Sequence, residues 1–312
     1  MARVRVGISG WEYDGWQGDF YPPGLAKRRR LEYVTRMFET LEINGTFYSL
    51  KSPATFERWY ETAPDDFVYA LRGSRYLSHT KRLRDPLTGL ANFFASGVLR
   101  LEDKLGPILW QCPPNMSWEP EAFETFCAML PADTHTAARL GHRHDHRVRG
   151  RTSLHVDTNR GLRHAFEIRD ARMMNPDMVR ILRRHGHGFV VSDTAGKYPY
   201  YEEITAGFVY VRLHGTGHMY VGAYDTAERH AWCDRIGLWT SAHERPDAPR
   251  ITNLRPPPRK GRDVYVYFDN DAHGHAPFDA LALAHDLRVG PDALTPMSAE
   301  GEPLPPPPRL AA

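Results

Sequence analysis

Short apolar runs and longer stretches of helical periodicity alternate along this chain. Eight runs rich in Val, Ile, Leu, Phe and Tyr, each bounded by turn residues, predict strands. They are RVRVGIS (3–9), LEINGTFY (41–48), FVYALRG (67–73), GPILWQC (106–112), HAFEIRD (164–170), GFVVSD (188–193), FVYVRLHG (208–215) and DVYVYFDN (263–270). Helical spacing falls between most of them. LEYVTRMFETL (31–41) sets Leu31, Val34, Phe38 and Leu41 on one face, and EPEAFETFCAML (119–130) does the same with Phe123, Phe126 and Leu130. PATFERWYETA (53–63) follows Ser52, an N-cap residue type, and opens on Pro53. NPDMVRILRRHG (175–186) ends on a glycine, as helix C-termini often do. TAERHAWCDRIGLWTSA (226–242) and APFDALALAHDL (276–287) complete the helices. The connection TAGKYPYYEEITA (194–206) is short and broken by proline, so a helix there is weak or absent.

Eight strand–helix units in series predict a parallel sheet closed as an α/β TIM-type (β/α)8 barrel, a single domain over residues 1–290. An open doubly wound sheet is the competing arrangement, but GISGWE after the first strand is not GxGxxG, and no GxxxxGK[ST] occurs. Three segments interrupt the repeat. Residues 133–163 are dense in Arg and His, residues 245–262 in Pro and Arg, and the Pro-rich tail 291–312 is expected to be disordered. The first two precede strands, which assigns them to the N-terminal, stability face of a barrel.

Composition narrows the class further. With 312 residues and 41% hydrophobic content, the chain is long enough for one such barrel. A net charge of +2 carries no global polyanion signature. Three scattered cysteines without CxxC predict a reduced, cytoplasmic protein. No run nears the roughly 18 apolar residues of a membrane helix, and the N-terminus lacks a secretory apolar stretch. No membrane partner is expected.

The strands carry polar residues where a buried strand would be apolar. In a barrel alternate residues face inward. Glu42, Asn44, Thr46 and Tyr48 share one face of the second strand, Glu167 and Arg169 one face of the fifth, and Arg212 and His214 one face of the seventh. Arg72, Gln111, Asp193, Asp269 and Asn270 lie near the ends of four others. The helix-facing side must be apolar, so this set is expected to line the lumen near the C-terminal rim, where barrel enzymes place their chemistry.

In order along the chain stand VGISGWEYDGWQGDFYP, FETLEINGTFYSL, KLGPILWQCPPN, AFEIRD, YVRLHG and VYVYFDND. This series resembles the successive motifs of the domain of unknown function 72 family, also called YecE-like, over roughly residues 4–288. The resemblance implies a TIM-type barrel and no settled reaction. Likeness to endonuclease-IV-type barrels, and with it nucleic-acid binding, is an analogy attached to the family. This chain departs from the usual pattern with Arg72 for lysine, Asp170 for histidine, DND for NND in the last strand, and a long Arg-rich insertion over 141–163.

The residue types allow several chemistries. Arg72, Arg169 and Arg212, with His79 on the loop after the third strand, form a candidate site for a small anionic, phosphate-bearing ligand. Asn44, Tyr48, Gln111, Asp269 and Asn270 are candidate contacts. Glu167, His214, Glu42 and Asp193 are the candidate acid–base residues, consistent with hydrolase or isomerase chemistry without a redox cofactor. Trp11 and Tyr13 are candidate stacking residues, whereas Trp16, Phe20 and Tyr21 are expected to pack their loop. A divalent metal would find His79, His214, Glu42, Glu167, Asp193 and Asp269, but no HxH or HExxH spacing occurs and three arginines oppose a cation, so no cofactor is expected. HRHDH (142–146) reads as a solvated basic loop. Two other functions fit the same residues. One is non-catalytic nucleic-acid binding through residues 141–163 and 250–262, and the other a glycosidase using Glu42 and Glu167.

Overall fold

The structure, a computed structural model, describes residues 2–290; the Pro-rich tail 291–312 lies outside the described residues. Eight parallel strands close a barrel in sequence order, β8 pairing back onto β1. They are β1 (Val4–Ser9), β2 (Thr40–Ile43), β3 (Val68–Arg72), β4 (Leu105–Cys112), β5 (His164–Ile168), β6 (Gly188–Asp193), β7 (Phe208–Leu213) and β8 (Asp263–Phe268). Around them stand α1 (Arg30–Met37), α2 (Gly45–Tyr48), α3 (Pro53–Thr62), α4 (Pro86–Ala95), α5 (Pro120–Met129), α6 (Thr134–Gly141), α7 (Pro176–His185), α8 (Thr226–Thr240) and α9 (Ala276–Leu287). Residues 194–207 join β6 to β7 without a helix, as the proline-broken connection predicts.

Local sequence explains the boundaries. Ser52 accepts from the Thr55 amide to cap α3, and Asn175 accepts from Met178 to cap α7, which ends on Gly186 at φ 69°. Asp225 and Glu228 form a reciprocal capping box at the start of α8. Two apolar clusters result. The larger lies between strands and helices and includes Ile8, Leu41, Leu71, Trp110, Phe166 and Val211; the smaller fills the lumen with Ala70, Leu109, Ala165, Val190, Phe208, Tyr210, Tyr265 and Tyr267. This inward–outward alternation fits the parity expected for β3, β4, β5, β7 and β8.

Three expectations need correction. The second strand is shorter than 41–48: it stops at Ile43 and the chain coils into α2, because the Thr46 hydroxyl turns back to the carbonyls of Ile43 and Arg72. Tyr48 is therefore not on an inward strand face but is 72% exposed. A helix absent from the expected set, α4, follows β3. The Arg-rich segment is not confined to the N-terminal face. Its α6 packs on α4, Asp145 exchanges 3.0 Å hydrogen bonds with Asn92, and the Arg147 guanidinium stands 6.0 Å from the Tyr76 ring, beyond the C-terminal end of β3. The segment serves as an outer cover because α4 is buried on nearly every side.

Candidate functional site

The polar residues gather around one guanidinium. Arg212, on β7, has no exposed surface. Its Nη1 donates to Glu167 Oε2 at 2.8 Å, and its Nη2 donates to Glu42 Oε1 at 2.9 Å, Asp269 Oδ2 at 2.7 Å and Ser9 Oγ at 3.3 Å. Burial works against the charge, but Glu42, Asp269 and Glu167 outweigh it and hold the guanidinium protonated. Glu42 also accepts from Ser9 Oγ at 2.5 Å and from Tyr210 Oη at 2.6 Å. Glu167 also accepts from Gln111 Nε2 at 2.8 Å and Arg169 Nε at 2.7 Å. Burial pushes its carboxyl upward, yet Arg169 and Arg212 outweigh this and hold it well below the usual range.

These bonds remove the basis for two expected roles. A glycosidase needs two carboxyl groups facing an open cleft. Glu42 and Glu167 have no exposed surface, and each is bound to an arginine, so that reading is overturned. His214 does not fit a general base either. Its Nδ1 is 2.9 Å from the Asp193 carbonyl and its Nε2 is 3.0 Å from Arg212 Nη1. Arg212 has only hydrogens to give, so Nε2 accepts and Nδ1 carries the proton. Burial, then Arg212, holds the ring well below its usual pKa. Its approaches of 3.5 Å to Asp269 and 3.9 Å to Glu167 are thus not ion pairs.

A second guanidinium is held differently. Arg72 is 7% exposed and lies over the Phe47 ring at 4.2 Å. It donates to Asn44 Oδ1 at 3.0 Å and Gln111 Oε1 at 2.8 Å, both neutral amides, and its buried Nε has no partner among the described residues. Arg169 spends its Nε on Glu167 and stands over Tyr198 at 5.1 Å; its Nη2 lies 3.5 Å from His214. His79 is partly buried against Phe47, with its Nδ1 2.9 Å from Ser78 Oγ. Burial and then Arg75, Arg72 and Arg169 lower its pKa to about 4. Three cations thus converge on this imidazole.

Asp269 closes the other side of the mouth. It is 8% exposed, and burial pushes its carboxyl up to about 6, Arg212 working against the shift and Glu42 adding to it. Tyr13 donates to the Ser9 carbonyl at 2.8 Å and, with Trp11 and Asn44, lines a cavity of about 380 Å³ beside the lumen. Trp16, Phe20 and Tyr21 pack the first loop onto Tyr33 of α1, as expected.

Three candidates fall outside the cluster. The Asp193 carboxylate faces away, accepting from Ala195 N at 3.2 Å and Tyr224 Oη at 3.1 Å; Asp193 enters the site through its carbonyl alone. Asn270 is wholly buried and donates to Gly222 O and Asp279 Oδ2, so it ties the loop after β7 to α9. Tyr48 reaches only the rim, edge-on to Phe47 at 5.1 Å. Conversely, sequence reasoning passed over Ser9 and Tyr210. Tyr210 shares the inward parity of Arg212, a signal available from the alternation, whereas a lone serine after β1 gives none.

No group of three or more His, Cys, Asp or Glu able to hold a metal occurs among the described residues. Some arginines of the basic segments are paired locally or buried, whereas Arg143, Arg149, Arg255 and Arg259 are exposed. Arg147 pairs with Asp145 at 2.9 Å, Arg163 with Asp263 at 2.8 Å and Arg250 with Glu244 at 3.5 Å, while Arg160 pairs with Asp157 and Arg262 is 2% exposed. No described helix is long and apolar enough to cross a membrane.

Fold and site together define a TIM-type barrel whose upper lumen holds an arginine–carboxylate network, with a further buried arginine bonded, among the described residues, to amides. The chain belongs to the family described as protein of unknown function DUF72, whose model matches residues 5–304. It is similar to the UPF0759 protein YunF of Bacillus subtilis, 23% identical over 116 residues, 36% of this chain and 40% of that protein. It is also similar to the UPF0759 protein YecE of Escherichia coli, 26% identical over 140 residues, 45% of this chain and 48% of that one. The matched region thus spans less than half of either relative. Among solved structures, a DUF72 family protein from Thermotoga maritima aligns with a TM-score of 0.68 at 22% identity, covering 92% of this chain and 99% of that one. Another from Enterococcus faecalis aligns at 0.63 and 15% identity, covering 93% and 97%. These likenesses show the fold.

Proposed function

We propose that this protein binds a small phosphate-bearing anion in the barrel mouth, between Arg72, Arg169 and His79. The observation that carries the reading is Arg72, a buried guanidinium whose side-chain hydrogen-bond partners among the described residues are neutral amides and not carboxylates. Buried charges are ordinarily paired, and an unmatched one costs several kcal/mol. An anion in the mouth supplies the missing charge. Arg169 adds a second donor at the same place, and Phe47 and Tyr198 hold the two guanidinium planes. The carboxylates of Glu42 and Glu167 are engaged deeper in the lumen by Arg212 and so do not repel it. Hydrolase or isomerase chemistry at this mouth falls to Asp269, whose carboxyl is pushed up to about 6 by burial, and not to Glu42, Glu167 or His214.

Calorimetric titration of phosphate and sulfate into wild type and Arg72→Ala tests the reading. Binding is expected to weaken by about tenfold or more in the variant, a bidentate charged contact being worth ~1.5–3 kcal/mol. Equal affinities in the two proteins refute it. Nucleic-acid binding through residues 141–163 and 250–262 makes a separate demand: oligonucleotide affinity that falls steeply with salt and is insensitive to Arg72→Ala.

A further inference from the structure

The cavity beside the anion site has its own chemistry. It lies between the loop after β1 and the start of α3, and its walls include Trp11, Glu12, Asn44, Lys51, Arg58 and Trp59. Its volume of about 380 Å³ falls at the lower end of the range for small-molecule sites. Asn44 joins it to the mouth: the residue lines the cavity while its Oδ1 accepts from Arg72 at 3.0 Å. Asn44 is thus shared by the two spaces, and a ligand spanning both would meet Arg72 with its anion and this cavity with its remaining atoms.

The walls discriminate between rings. Trp11 and Trp59 meet edge to face, 89° apart with centroids at 5.9 Å, so they form a corner and not a parallel slot that would clamp a flat base between two rings. The same lining supplies both donors and acceptors: Lys51 and Arg58 donate, Glu12 accepts, and Thr55 does both. A polyhydroxylated ring, with one apolar face and hydroxyls on its perimeter, matches this lining. We propose that the cavity is the sugar subsite of a sugar-phosphate site, Trp11 meeting the ring while Arg72 and Arg169 take the phosphate. This rests on the anion reading above and extends it to a class of ligand.

The test titrates glucose 6-phosphate, ribose 5-phosphate, inorganic phosphate and AMP into wild type, Trp11→Ala and Thr55→Trp, with circular dichroism confirming that each variant is folded. The two variants respectively remove the platform and fill the cavity, so one misfolded variant leaves the other. A sugar phosphate is expected to bind wild type about tenfold or more tighter than phosphate, one decade being ~1.4 kcal/mol. Either variant is expected to bring that ratio toward one. Phosphate binding with no gain from either sugar overturns the subsite and leaves the anion site standing. Absence of phosphate binding as well overturns both. AMP binding tighter than both sugar phosphates, by an amount lost in Trp11→Ala, overturns the sugar assignment in favour of a nucleobase.

Discussion

Replacing Asp269 by asparagine should stabilise this barrel at neutral pH. The carboxyl stands among Arg212, Glu42, Arg72, Asp271 and Tyr13, and burial dominates, moving its pKa from the usual 3.8 to about 6. At ~1.36 kcal/mol per pH unit, that displacement corresponds to about 3 kcal/mol between the two protonation states. The folded state binds the proton more tightly than the unfolded chain, so stability falls as pH rises from 3.8 to about 6 and stays lower above it. Asparagine mimics the protonated form and keeps an oxygen for the 2.7 Å bond from Arg212. Urea unfolding of both proteins from pH 4.5 to 8 is the assay. Asp269→Asn is expected to be more stable at pH 8 by up to about 3 kcal/mol, the advantage shrinking toward zero as pH approaches 4. Glu167 acts in the opposite sense, but its pKa lies well below 4.5, so its contribution is lost only at more acidic pH. Asp193, Asp271, Asp279 and Glu244 are raised as well and tilt both curves alike, so the difference between the proteins is the quantity to read. A variant less stable than wild type at pH 8, or a difference that does not change with pH, refutes the reasoning.

The same carboxylate should weaken anion binding once ionised. Sulfate affinity of wild type, read by calorimetry, is expected to fall as pH rises through about 6 and to stay flat in Asp269→Asn. His79, lowered to about 4, should remain neutral above pH 5 in nitrogen-detected NMR, and saturating sulfate should raise its pKa by cancelling the field of Arg75, Arg72 and Arg169. Tyr210→Phe strips Glu42 Oε2 of its 2.6 Å donor and should lower unfolding stability by about 1–3 kcal/mol in urea. Gly73→Ala would drive a methyl into the Trp110 ring and should lower the thermal midpoint, with a loss of about 1–3 kcal/mol.

The strand pattern carried the barrel and the main members of its network. Glu167, Arg169 and Arg212 could be assigned to one lumen because β5 and β7 keep a strict alternation to their ends. The second strand misled at Tyr48, since the alternation of Asn44, Thr46 and Tyr48 looks like strand although the Thr46 hydroxyl caps a helical turn. Helix α4 was illegible for a different reason. PLTGLANFFA is covered by the barrel on one side and by α6 on the other, and a helix buried all round shows no polar stripe. Direction was also hidden: Asp193 and Asn270 sit at strand ends with the right residue type, but only the loop after β7 decides that their side chains bond to Tyr224 and Asp279.

Arg212 also bears on how the chain assembles. Its partners Ser9, Glu42, Glu167 and Asp269 lie 203, 170, 45 and 57 positions away. They come from both ends of the chain, so the guanidinium cannot satisfy them until β8 has met β1 and the ring has closed. Contacts of such long range form late, because loop entropy must be overcome first. Before closure this arginine and its carboxylates stay hydrated, and an incomplete barrel has little reason to bury them. The network should therefore work as a checkpoint on the fold: partial barrels keep an open, wet seam, and a dry lumen appears only with the whole ring.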